Sequence, residues 1–168
     1  MAEIEIRKFA TVMFSIFLLG LIGNQIVQLV TLTHEGFHTI VLAAMGCKPK
    51  PGAYIYGGAT QFDCQLSDAQ WIIAALAGPI GSFCLALYLW YNFGKDSWIR
   101  LPALFGMLYS SLPSLYSKLP GSDMYVAVQH GFPEWIGFLI WVLTSGIATY
   151  ALLCEIEERD ILKKFVKR

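Results

Sequence analysis

The sequence predicts an all-α integral membrane protein of about four transmembrane helical segments, the first long and the third broken, with a small β-hairpin after the first. Hydrophobic residues make up 56% of the 168-residue chain and charged ones 14%, where soluble domains carry about a quarter. Runs without a formal charge cover 9–33, 69–94, 101–117 and 135–154. A span takes about 20 mostly apolar residues, so three of these runs suffice and 101–117 is marginal. Twelve Lys+Arg balance twelve Asp+Glu, leaving no net field to recruit nucleic acid. A soluble enzyme, a secreted disulfide scaffold and a disordered regulator are excluded. The chain reads as one multi-pass domain, 1–168, with the lipid bilayer as its surroundings.

The elements follow in order. Residues 1–8 form a charged lead whose acidic start, followed by an overlong apolar run with no small-residue cleavage site, argues against a cleavable signal peptide. From Phe9 to about Met45 the chain is apolar apart from His34–His38. As helix it would exceed the ~30 Å hydrocarbon core, so one long helix, tilted or bent near Gly20–Asn24, is expected rather than two spans. Gly46, Pro49 and Pro51 end it. Residues 53–62 hold two short β-prone runs about Gly57–Gly58, a hairpin signal. Ser67 or Asp68 caps the second span, 69–92, which carries Ala77-Gly78-Pro79. The third, about 99–117, contains Pro113 and gives way to Leu119-Pro-Gly-Ser-Asp123. A short helix then runs from Ser122 or Asp123 to about His130, Gly131–Pro133 break it, and the last span is 135–154. The charged tail, 155–168, has the pattern of a short surface helix. Trp71, Trp90, Trp98 and Trp135 fall near span ends, as interfacial anchors do.

Four cysteines contain no CxxC pair, so no thiolate zinc site is expected. Cys84 reads as a small packing residue. Cys47 and Cys64 bracket the hairpin and would pair only on the side of an oxidising compartment.

His34-Glu35-Gly36-Phe37-His38 matches HExxH. Positions i and i+4 share a helix face, so both imidazoles can reach one metal ion, and the intervening carboxylate stands where it can take a proton from water. Only three histidines occur in the chain and two fall in this spacing. A carboxylate beside an apolar helix is functional by default. A hydrolytic zinc takes three protein ligands and keeps one position open. Ala44 stands where a soluble zincin of the HExxHxxGxxH type would place its third histidine, and no Glu occurs between Glu35 and Glu134. The remaining candidates are Asp63, Asp68, Asp96, Asp123, His130 and Glu134. Asp123 stands apart, because it follows a Pro-Gly break between apolar segments. Unwound backbone at membrane depth is tolerated where it lines a protein or water cavity.

HExxH on a long apolar helix, Ala77-Gly78-Pro79 in the next span and Leu119-Pro-Gly-Ser-Asp123 in a broken later one together resemble the site-2 protease family of intramembrane zinc metalloproteases. The resemblance covers about residues 25–131. It implies one zinc ion per chain held by His34, His38 and Asp123, with Glu35 as the base. The substrate it implies is a membrane protein, cleaved in or beside its transmembrane segment as in regulated intramembrane proteolysis. It also implies substrate contacts at Tyr54, Ile55, Tyr56, Gly57 and Gly58 of the hairpin and at Gly78 and Pro79. The chain departs from the family pattern at Ser82 and Ser110–Ser111, where Asn is common, and at Met124, where Gly is.

An inactive membrane protein of the same core that binds membrane partners is the alternative, and intact HExxH argues against it. A zincin using Glu134 or Glu155 as third ligand ranks behind both. With four spans both termini share a side. The positive-inside rule then sets nine Lys/Arg (the lead, Lys95, Arg100 and the tail) in the cytoplasm against Lys48, Lys50 and Lys118 outside. The metal end of the first helix and the hairpin would face the exterior or lumen, opposite to the family's usual arrangement.

Overall fold

The computed structural model describes residues 2–54, 57–94, 96–112 and 118–158. Its elements are α1 (Ala2–Ala44), β1 (Lys50–Tyr54), β2 (Gly57–Gln61), α2 (Asp68–Asn92), α3 (Arg100–Ser111), α4 (Asp123–Gln129) and α5 (Glu134–Glu158). Three helices are long and apolar enough to cross a membrane: Val12–Ala44 of α1, α2 and α5.

The first apolar run forms one helix and not two, and it takes in most of the charged lead. At 43 residues it is roughly 65 Å long. Its apolar side chains, such as Phe14, Phe17 and Leu29, are exposed, as they would be toward lipid. The helix stops because Gly46 adopts φ 84°, a left-handed conformation that costs glycine little. Cys47 N–H then reaches back to Leu42 O at 3.0 Å.

The hairpin forms as expected, but its turn does not fall on Gly57–Gly58. Those glycines belong to β2, paired with Tyr54 and Ala53, and the antiparallel register also sets Pro51 opposite Thr60 and Lys50 opposite Gln61. The strands are therefore joined at 55–56, outside the described residues. The base of the hairpin supplies the physical reason. Continued beyond the strands, the same register faces Lys48 with Asp63 and Cys47 with Cys64. Lys48 N–H donates to Asp63 Oδ1 at 3.1 Å, and Cys47–Cys64 is a disulfide with Cα atoms 5.3 Å apart. A turn on the glycines would shift this register and pull the cysteines out of opposition.

Ser67 caps α2. Its N–H donates to Gln70 Oε1 at 2.9 Å and its hydroxyl accepts from Gln70 N at 3.4 Å, a reciprocal capping box. Packed against α1, α3 and α4, α2 is the centre of the bundle, and its Phe83 and Ala86 join Leu104, Met107, Ala148 and Ala151 in the core. Cys84, expected to pack inside, is exposed. The 12 residues of α3 rise roughly 18 Å, too short to cross alone, and the break expected at Pro113 lies within 113–117, outside the described residues. Ser122 caps α4 by accepting from Tyr125 N at 3.2 Å.

The last helix runs a turn beyond the expected 154. Glu155, only 2% exposed, lies 2.7 Å from Arg100 Nε and accepts from Trp90 Nε1 at 3.1 Å. Arg100 also donates to Glu158 at 2.8 Å and stacks over Trp90. Paired in this way, the charges extend α5 instead of ending it. The start of α3 is thereby tied to the end of α5. At the opposite end of the bundle, His130 after α4 lies 2.8 Å from Asp68 at the start of α2 and stacks on Trp71. Trp98 and Trp135 are exposed, whereas Trp71 and Trp90 do packing work inside these two ties.

Candidate metal centre

His34, Glu35 and His38 lie on α1 and all three are buried, Glu35 at 5% exposure. Together they form a group able to hold a metal ion. Their i, i+4 spacing sets the two imidazole rings edge to face with Nε2 atoms 3.1 Å apart. Into the same point comes Asp123, the first residue of α4. Its Oδ2 lies 2.8 Å from His34 Nε2 and its Oδ1 3.3 Å from His38 Nε2. Zinc bonds to nitrogen and oxygen at about 2.0–2.2 Å, so neighbouring ligands of a tetrahedral site stand about 3.3 Å apart. These three separations fall near that edge length. The donor set and its spacing would suit a metal ion such as zinc.

Protonation agrees with that fit. His38 Nδ1 lies 2.6 Å from Ala74 O, and a carbonyl can only accept, so the ring proton sits on Nδ1 and the Nε2 lone pair points at the convergence. Asp123 lies outside the three long helices.

The third wall is backbone. A Cβ on Gly78 would fall 2.6 Å from His34 Nε2 and closer still to His38 Nε2. Only glycine lets α2 approach the imidazoles this closely. Pro79 beside it is buried in α2. One turn later Ser82 donates to Gly78 O at 2.7 Å and contacts Ser110 Oγ at 2.9 Å, tying α2 to α3. Met124 packs on Gly137.

The other candidate ligands are elsewhere among the described residues. Asp63 accepts from Lys48 N, Asp68 pairs with His130, Asp96 follows the far end of α2, and Glu155 is held by Arg100 and Trp90. Glu134 lies in the first turn of α5. Of the residues expected to meet substrate, Gly78 stands at the imidazoles, Pro79 follows it in α2, Tyr54, Gly57 and Gly58 lie on the paired strands, and Ile55 and Tyr56 fall outside the described residues.

Two participants were not anticipated. Thr60 donates to Glu35 Oε2 at 2.7 Å, and Ala74 supplies its carbonyl to His38. The alternation of β2 puts Thr60 on the face opposite Ala59 and Gln61, and the packing of the hairpin on α1 turns that face to Glu35. A backbone carbonyl leaves no signal in the sequence. Beside the group lies a cavity of about 200 Å³ bordered by Glu35, His38, Thr60, Phe62, Trp71 and Asp123. No family model matches the chain, and no curated protein or solved structure matches it.

Proposed function

We propose that the chain is an intramembrane zinc metalloprotease resembling the site-2 protease family, one that cleaves membrane proteins in or beside their transmembrane segments. The observation that carries the reading is the convergence of His34 Nε2, His38 Nε2 and the Asp123 carboxylate within 3.3 Å, beside the buried Glu35 carboxylate. A buried carboxylate beside two converging imidazoles favours a catalytic site over a binding protein.

Zinc bound to His34, His38 and Asp123 would lower the pKa of water toward ~7 and polarise the scissile carbonyl. Glu35 accepts the proton of the attacking water and delivers it to the amine nitrogen as the peptide bond breaks, so the base finishes the cycle ionised again. His38, held by Ala74, and Gly78, by its missing side chain, keep the ligand atoms in place. The hairpin offers strand edges to a substrate segment unwound from its helix.

Multi-pass membrane residence supports the substrate class. Ala74 and Gly78, which touch the histidines, lie roughly 9–15 Å along α2 from the polar boundary at Asp68. That depth is within the hydrocarbon region. The two ties at opposite ends of the bundle support four crossings. Arg100 at the start of α3 is bound to the end of α5, while His130 at the end of α4 is bound to the start of α2. On this reading α3 and α4 together make a third, broken crossing, and both termini share a side.

The test is reconstitution. Purified protein in liposomes should contain one zinc per chain and cleave a single-span test substrate, and a chelator should stop cleavage until zinc is restored. Metal-free protein that never cleaves under any zinc concentration would leave the inactive binding protein as the better reading.

A further inference from the structure

We propose that Thr60 is the positioning residue for Glu35, holding one carboxylate oxygen so that the other is presented to the attacking water; this rests on the protease reading. Thr60 Oγ1 lies 2.7 Å from Glu35 Oε2 and 3.3 Å from Glu35 O. A hydroxyl has one proton to give. The shorter distance is within the range of charge-assisted O–H···O⁻ bonds, so the proton goes to the carboxylate. Glu35 O is already served by Thr39 Oγ1 at 2.8 Å.

The arrangement answers a physical need. A glutamate in a helix has three rotatable side-chain bonds, and at 5% exposure water cannot hold its carboxylate in one orientation. Among the described residues, Thr60 is the donor to that carboxylate and no donor reaches Oε1. A Glu35 carboxylate oxygen lies within 4.8 Å of the ligand nitrogens of both histidines. Fixing Oε2 on the hairpin side therefore leaves the lone pairs of Oε1 for the proton. Thr60 itself is well held. It sits inside β2 opposite Pro51, and the Cys47–Cys64 disulfide closes the base of the same hairpin in the same register. Its β-branch restricts χ1, which keeps the hydroxyl aimed.

A purely structural role, tying the hairpin to α1, would show itself in folding and zinc content, and a positioning role in turnover. Thr60→Val keeps the shape and removes the donor, while Thr60→Ser keeps the donor. Both are compared with the parent and with Glu35→Gln, as full-length protein loaded with zinc, on a single-span test substrate. Thr60→Val is expected to lower kcat about 10–100-fold, the range for partners of active-site groups, with KM, zinc affinity and melting temperature near the parent's. Thr60→Ser is expected to recover kcat to within about threefold of the parent. Parent-like kcat in Thr60→Val overturns the assignment, as does loss of zinc or of the fold in both Thr60 variants. If the parent cleaves and Glu35→Gln does not while Thr60→Val is unaffected, this inference alone fails. If the parent does not cleave, the protease reading falls and this inference with it.

Discussion

The Nδ1 of His38 donates to the carbonyl oxygen of Ala74 at 2.6 Å, so the helix that walls the candidate metal centre also sets the tautomer of one of its histidines. The contact exists because α2 approaches α1 at Gly78, one turn beyond Ala74, where no side chain intervenes. Tautomer and close approach are two consequences of one helix contact, and both bear on metal affinity.

Gly78→Ala should therefore act on the metal. Its Cβ would require the imidazoles or α2 to move, and zinc affinity should fall by at least about 10-fold. Gly146→Ala on α5, where a Cβ meets nothing within 4 Å, should bind zinc as the parent does. Zinc titration of both proteins checks the pair, and equal affinities would mean that the approach of α2 is looser than the distances indicate.

The ligand set can be separated from its neighbours. His34→Ala, His38→Ala and Asp123→Ala should each abolish tight zinc binding, whereas Asp63→Ala, Asp68→Ala and His130→Ala should retain most of it. Asp68 and His130 pair with each other and not with the centre. Outer partners typically change affinity 10–100-fold, so titration is the measurement. Parent-like binding by Asp123→Ala would remove it as the third ligand.

The tie at the other end of the bundle is structural. Arg100 and Glu155 are buried at 7% and 2% exposure; removing Arg100 takes the cation from a buried carboxylate, whereas removing Glu155 leaves Arg100 its pair with Glu158. Arg100→Ala should cost about 3–5 kcal/mol and Glu155→Ala less, both seen as a lower melting temperature, while folded protein keeps its metal affinity. Unchanged melting in both variants would show that water reaches this pair.

Sidedness follows from charge and disulfide together. With four crossings the positive-inside count would put the termini in the cytoplasm, and the Cys47–Cys64 disulfide stands at the His34–His38 end of α1, where that count predicts an oxidising compartment. In a Cys84→Ser, Cys154→Ser background, a membrane-impermeant thiol reagent on intact cells should label the protein only after reduction. Labelling without reductant, and only after permeabilisation, would put the centre on the cytoplasmic side.

The helices were legible because uninterrupted apolar runs of span length have few other solutions in water or lipid, and HExxH was legible because its spacing is the helix period itself. The hairpin turn was misplaced because Gly57–Gly58 is the stronger local turn signal, while the register is pinned from outside by Cys47–Cys64. The last turn of α5 was missed because Glu155 reads as a water boundary until Arg100, distant in sequence, is seen beside it. Asp123 was singled out by the Pro-Gly break and its role implied by resemblance. Its approach to His34 and His38 depends on how α4 packs against α2, which no local pattern encodes. Thr60 and the Ala74 carbonyl act through tertiary contacts of common groups.

The most direct measurement is zinc content and turnover of Glu35→Gln. Glutamine keeps the shape of the side chain and still accepts from Thr60, but it cannot take a proton from water. The expected outcome is one zinc per chain, as in the parent, with cleavage of the single-span substrate lowered by at least about 100-fold, the scale of a lost general base. Near-parent turnover with zinc bound would contradict Glu35 as the base and, with it, the proposed chemistry of this centre.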